Sequence, residues 1–168
     1  MFTFVQCART MTAACVSIVT FFGTSATATA DPADNQANNA KLFALLSGGY
    51  TPADCQAGKQ YPEDPFLARL GCGRNSQPGG PNAATYSLYG NVADLNKTFD
   101  QYGASIPCPG TSNPGPTAWP GGMVKCGHGF YPQQSQSMVT WTRAADLVVV
   151  NAQGPDLASL YAWWLSAR

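Results

Sequence analysis

Val124-Lys125-Cys126-Gly127, Met138-Val139-Thr140-Trp141-Thr142, Leu147-Val148-Val149-Val150 and Asp156-Leu157-Ala158-Ser159-Leu160-Tyr161-Ala162-Trp163-Trp164 follow one another near the end of this chain. The first three runs are rich in β-branched and aromatic side chains, which suit a pleated surface. They predict strands over 122–127, 137–142 and 147–152, with turns at 131–136 and 143–146. The fourth run has a different period. Asp156, behind Pro155, can accept the free amides of a first helical turn. Leu157, Leu160, Tyr161, Trp164 and Leu165 then fall at i, i+3, i+4, i+7 and i+8, one apolar face. By the same periodicity Trp163 lies about 120° from the centre of that face and is expected to point elsewhere.

A weaker copy of this plan lies upstream. Leu70-Gly71-Cys72-Gly73 opens a strand, Gln77-Pro78-Gly79-Gly80-Pro81-Asn82 turns the chain, and Thr85-Tyr86-Ser87-Leu88-Tyr89 returns. Asp94 is the expected cap of a helix from Leu95 to Tyr102, with Leu95, Phe99 and Tyr102 as its buried stripe. Between the copies, 107–122 holds five prolines and four glycines around Trp119 and reads as loop. Ahead of both, Leu42, Phe43, Leu45 and Leu46 predict a short helix over 39–46, stopped by Gly48-Gly49. Residues 56–69, with two prolines and Glu63-Asp64, read as loop. The expected class is α+β, with an antiparallel sheet of about five strands and three helices.

The two copies share more than their order. Ala93-Asp94-Leu95 matches Pro155-Asp156-Leu157, and each Cys-Gly follows another cysteine at nearly equal distance, 17 residues from Cys55 to Cys72 and 18 from Cys108 to Cys126. We therefore expect an internal duplication of the form helix–Cys–loop–Cys-Gly–strands–helix. Four cysteines allow three connectivities. A genuine duplication selects Cys55–Cys72 and Cys108–Cys126. Loops of that size are worth about 3 kcal/mol each in the chain-entropy model, large against a domain's net stability of about 5–15 kcal/mol.

Residues 1–30 are read apart from the fold. Arg9 precedes a short apolar run from Met11 to Phe22, and Ala28-Thr29-Ala30 supplies small residues for cleavage before Asp31, the layout of a secretory signal peptide. The run is about 12 residues, short of the roughly 20 that a membrane span needs. Residues 31–38 are expected to be a polar tether and 39–168 a single disulfide-stapled domain. Removing the leader also removes Cys7 and Cys15, leaving an even cysteine count in an exported chain, the usual sign of a disulfide framework. Only 11% of the residues are charged and the signs balance, so nothing attracts nucleic acid or an anionic surface. A secreted, extracellular or envelope-located monomer without a membrane span is expected.

Cys126, Trp141-Thr142, Leu160 and Trp163-Trp164, with Ala84-Thr85-Tyr86 and Phe99 upstream, resemble a pattern in secreted and extracytoplasmic domains of actinobacteria. Similar modules form the outer domains of some receptor-type serine/threonine kinases. The resemblance covers roughly 70–164. It implies an extracytoplasmic, ligand-binding and sensory module of undefined ligand, and it carries no catalytic residues. The chain itself holds no glycine-rich ATP loop, catalytic-loop Asp or Asp-Phe-Gly triplet, so it is not expected to be a kinase.

Chemistry is sparse. His128 is the only histidine, which excludes most acid–base schemes, and there is no Gly-x-Ser-x-Gly elbow. One histidine cannot furnish an ordinary zinc shell; no metal or cofactor is expected, and His128 is read as exposed structure. Aromatics on loops are the stronger signal, since exposed rings often form binding surfaces. Trp119, Phe130, Tyr131 and Trp163 are the candidate ligand-binding residues, while Trp141 and Trp164 are assigned to the core. The leading expectation is a non-catalytic module binding an envelope ligand or protein partner. The alternative is a carboxylate-dependent envelope hydrolase acting on carbohydrate, using Asp54, Glu63, Asp64 or Asp146. A third reading is a secreted structural or antigenic protein with no small ligand.

Overall fold

Val148-Val149-Val150 is apolar at every position because β7 (Val148–Gly154) is buried on both faces, at the centre of a seven-stranded antiparallel sheet. The computed structural model describes residues 32–102, 106–129 and 136–168. Its other strands are β1 (Cys55–Ala57), β2 (Phe66–Cys72), β3 (Ala83–Tyr89), β4 (Thr117–Trp119), β5 (Gly122–His128) and β6 (Ser137–Arg143). The helices are α1 (Pro32–Ala44), α2 (Val92–Gln101) and α3 (Leu157–Ala167). Strand order is β1-β2-β3-β7-β6-β5-β4. The class, the helices and the antiparallel sheet match the sequence reading, with seven strands in place of five. None of the described helices is long and apolar enough to cross a membrane.

The two extra strands, β1 and β4, have three residues each and lie in segments read as loop. Strands this short hold no pattern of their own. They form because β2 and β5 offer them an open edge to pair with. The expected tether is also corrected: 32–38 belong to α1, which starts at Pro32, a residue suited to a first helical turn. In α2 the cap moves back by three residues. The Asn91 side chain accepts the Asp94 amide at 2.9 Å and donates to the Asp94 carboxylate at 2.8 Å, so Asp94 supports the cap and does not form it. The α3 cap is as read, with Asp156 accepting the Ser159 amide at 2.7 Å.

Both expected disulfides are present, Cys55–Cys72 and Cys108–Cys126. They bracket a single transverse row of the sheet. Cys55 pairs with Cys72, Cys72 with Ala84, Ala84 with Ala152, Ala152 with Val139, Val139 with Cys126, and Cys126 with Ile106. Directly paired residues point to the same face, so Cys72 and Cys126 do too. The antiparallel pairings also make β2 parallel to β5 and β3 parallel to β6, with β7 between them. A half-turn about β7 therefore superimposes β2 on β5 and β3 on β6 but exchanges the two faces of the sheet. That half-turn would carry the Cys72 side chain to the face opposite Cys126, so the two Cys-Gly segments do not superimpose. The two bridges staple opposite margins of one row.

One face of the sheet is covered by α1, against β2 and β3, and by α3, against β6 and β7. Leu70, Tyr86, Val150, Trp141 and Val124 form an apolar row there, beneath Leu42, Leu160, Trp163 and Trp164. The other face carries α2, whose Leu95 and Phe99 pack with Phe66, Tyr89 and Val149. Away from that contact the same face is polar and yet buried, through Ser87, Lys125, Thr140, Thr142 and Asn151.

Candidate functional site

Trp163 does not point elsewhere; it is buried at 3% exposure. Its ring meets Tyr50 and Trp141 edge-on at 6.3 and 6.2 Å, and its Nε1 donates to the Gly48 carbonyl at 3.1 Å. A helical wheel assumes one partner surface, whereas α3 is wedged between the sheet and the Gly48-Gly49 turn that follows α1. Gly48 has φ of 65°, and a Cβ there would sit 2.5 Å from the Trp163 ring. Trp163 is therefore removed from the ligand-binding candidates. Trp141 and Trp164 are core, as read.

Trp119 is half-buried, edge-on to Trp164 at 5.8 Å, and its Nε1 donates to the Met123 carbonyl at 3.3 Å. It borders a shallow concavity of about 190 Å³ with Arg143 and Asp146. That is one meeting of a candidate aromatic with a carboxylate, but Asp146 is already paired with Arg143 at 2.8 Å. Phe130 and Tyr131 lie outside the described residues. His128 ends β5 and is exposed, as expected.

Of the carboxylates proposed for hydrolysis, Asp54, Asp64 and Asp146 have local partners. Asp54 accepts the Thr51 hydroxyl and amide at 2.7 and 2.8 Å, and these bonds hold its carboxyl below the ordinary value. Asp64 accepts the Tyr61 amide at 2.8 Å. Glu63 is exposed in the same turn. No group of three or more metal-ligating side chains converges among the described residues.

The largest described concavity, about 700 Å³, lies where the sequence reading saw only a turn. One wall is Arg74 to Gly80 and Asn82; the other is Gly154, Pro155, Asp156, Ser159 and Leu160, the start of α3. Asn75 fixes the first wall from inside. Only 5% exposed, it donates its side-chain amide to the Gly48 carbonyl at 2.9 Å and accepts the Gln77 amide at 2.9 Å. Its own backbone amide donates to the Pro81 carbonyl at 2.8 Å. Gly79, at φ of 73°, lies so close to α3 that a Cβ would stand 3.0 Å from the Ser159 carbonyl oxygen. The walls are thereby held without a ligand, and they present guanidinium, amide and hydroxyl groups. Asn75 was the available sequence signal, a polar residue two positions before Gln77 in a glycine-rich turn, where an Asx bond is expected. That it would be buried was not readable locally, since its partner Gly48 is 27 residues away.

The chain matches no protein-family model, and comparison with curated proteins and with solved structures returned no match.

Proposed function

We propose that this chain is an exported, non-catalytic binding module of the cell envelope or extracellular space, and that its ligand occupies the cleft between 74–82 and the start of α3. The observation that supports this most is the preset cleft wall, anchored by Asn75 and by the Gly79–Ser159 contact, on a frame with two disulfides. A volume of about 700 Å³ is within the range of ligand sites, about 300–1,000 Å³. The lining favours a polar ligand rich in hydroxyl or amide groups, such as an envelope glycan fragment or an extended peptide. A sensory role fits the resemblance to kinase outer domains.

Hydrolysis is the weaker reading. Carboxylate-dependent glycosidases use a pair of carboxyl groups. Asp156 is the one carboxylate on this cleft, and it caps α3. Saturation-transfer NMR with glycan fragments and short peptides tests the proposal. Binding should shift Asn82 and Ser159 resonances, and Arg74→Ala or Asn82→Ala should weaken it with little change in melting temperature, because both side chains are exposed. Reproducible turnover of any of these compounds, or ligand-induced shifts that bypass the cleft, would overturn it.

A further inference from the structure

A second concavity, of about 310 Å³, lies on the other face, between the start of β2 and the end of α2. Its walls include Pro65, Phe66, Arg69, Thr98, Gln101 and Tyr102. Arg69 is held there from three directions. Its backbone carbonyl accepts the Gly58 amide at 2.8 Å. Its Nε donates to the hydroxyl of buried Ser87 at 3.2 Å, directly across the β2–β3 pair. Its guanidinium carbon lies 3.9 Å from the centroid of the Phe66 ring. Stacking and the Nε bond together fix the plane of the guanidinium. No ion pair or Nη hydrogen bond joins Arg69 to another of the described residues. Arg69 lines the cleft, and the outer edge of its fork, the part that binds carboxylates in pairs of parallel hydrogen bonds, is not used by these contacts.

We propose that this cleft binds a carboxylate carried on a short apolar body, with the Arg69 fork as its receptor and the exposed Pro65 ring against the body. The source of the carboxylate is either a free organic acid or the C-terminus of a peptide, and both present the same chemistry to Arg69. Tyr102, Thr98 and Gln101 add side-chain donors on the α2 side. Burial raises the Tyr102 pKa, with Arg69 acting in the opposite direction, so the phenol is a neutral donor at ordinary pH. Asp64 also lines the cleft. Its charge opposes an incoming anion. This site is separate from the cleft at 74–82, and its failure would leave the proposal for that cleft standing.

Titration of the whole mature chain, followed by amide NMR and calorimetry, tests the site with phenylacetate and with acetyl-Gly-Phe, using phenylacetamide as the neutral isostere. Phenylacetate alone would assign a free acid, acetyl-Gly-Phe alone a chain end, and either supports the proposal when the shifts fall on Phe66, Arg69 and Tyr102. Arg69→Gln should weaken binding about tenfold or more. Arg69→Lys should also weaken it, because an ammonium cannot present a planar fork. Asp64→Asn should tighten it severalfold, and that variant keeps an oxygen for the Tyr61 amide, so its fold is preserved. Binding of neither acid, equal binding of phenylacetamide, or affinity unchanged in both Arg69→Gln and Asp64→Asn would overturn it.

Discussion

The two faces of the sheet solve the burial problem in different ways. The face under α1 and α3 is mainly apolar, with Tyr50, Trp141, Trp163 and Trp164 filling the space between helices and strands and Arg143 at its margin, donating to the Leu45 carbonyl at 2.7 Å. The face under α2 has a small apolar centre of five residues and a polar remainder that is also buried. There the Asn151 side chain donates to the Thr140 hydroxyl at 2.7 Å and its oxygen accepts from Gln153 at 3.1 Å. Lys125 lies 4.6 Å from the Phe99 centroid, and burial lowers its pKa while Asp100 pulls in the opposite direction. Stability from area and packing accumulates on the first face. On the second it depends on each polar group keeping its partner.

That contrast can be broken most severely on the aromatic face. Trp163→Ala removes a buried indole with three contacts to other elements and should cost about 3–5 kcal/mol, read by urea denaturation. A loss below 1 kcal/mol would mean that α3 is not fixed by this ring. Opening the Cys55–Cys72 bridge as the double serine variant should cost about 3 kcal/mol. Opening Cys108–Cys126 should cost a similar amount, because the two loops are nearly equal and staple the same row. Strongly unequal melting shifts would show that the two margins of that row are not comparable.

The polar face gives smaller effects with a more specific sign. Asn151→Ala leaves the fully buried Thr140 hydroxyl without its donor and should cost about 1–3 kcal/mol. Asn151→Val combined with Thr140→Val removes both partners and should recover much of that loss. A double variant worse than Asn151→Ala would refute the account of this face. The smallest effect concerns pH. Hydrogen bonds from Ser159, side chain first and then backbone, hold the Asp156 carboxyl below its ordinary value of 3.8. A depressed folded pKa adds stability above the unfolded value, and that stability is lost as pH falls through the folded one. The melting temperature should therefore drop on acidification from about 4 downward, less steeply in Asp156→Asn.

Much of the frame was legible because its signals are local. Pro155-Asp156 and the spacing from Leu157 to Leu165 place α3, and β-branched and aromatic runs place β3 and β6. What escaped depends on partners distant in sequence. β1 and β4 exist only as additions to neighbouring strands. Trp163 was misdirected because α3 has two partner surfaces, one of them a turn 115 residues earlier. The duplication looked sound in spacing and order. The face to which Cys72 and Cys126 point, which a list of residues does not carry, does not follow that repeat. At the candidate cleft, the turn was readable from Pro78-Gly79-Gly80, but the opposing wall comes from the other end of the chain.

The central position of β7 also sets the order in which the sheet can be completed. As the chain emerges N-terminus first, β1-β2-β3 and then β4-β5-β6 are available with their cysteines, and each bridge closes within its own segment. Neither group has its inner edge covered until residues 148–154 arrive and pair with β3 and β6. Between the completion of β6 at Arg143 and the arrival of β7 at Val148 the protein is two half-sheets with adjoining unpaired edges, the condition most open to wrong pairing between chains. A stop a few residues before Val148 would leave both bridges possible and the sheet in two pieces.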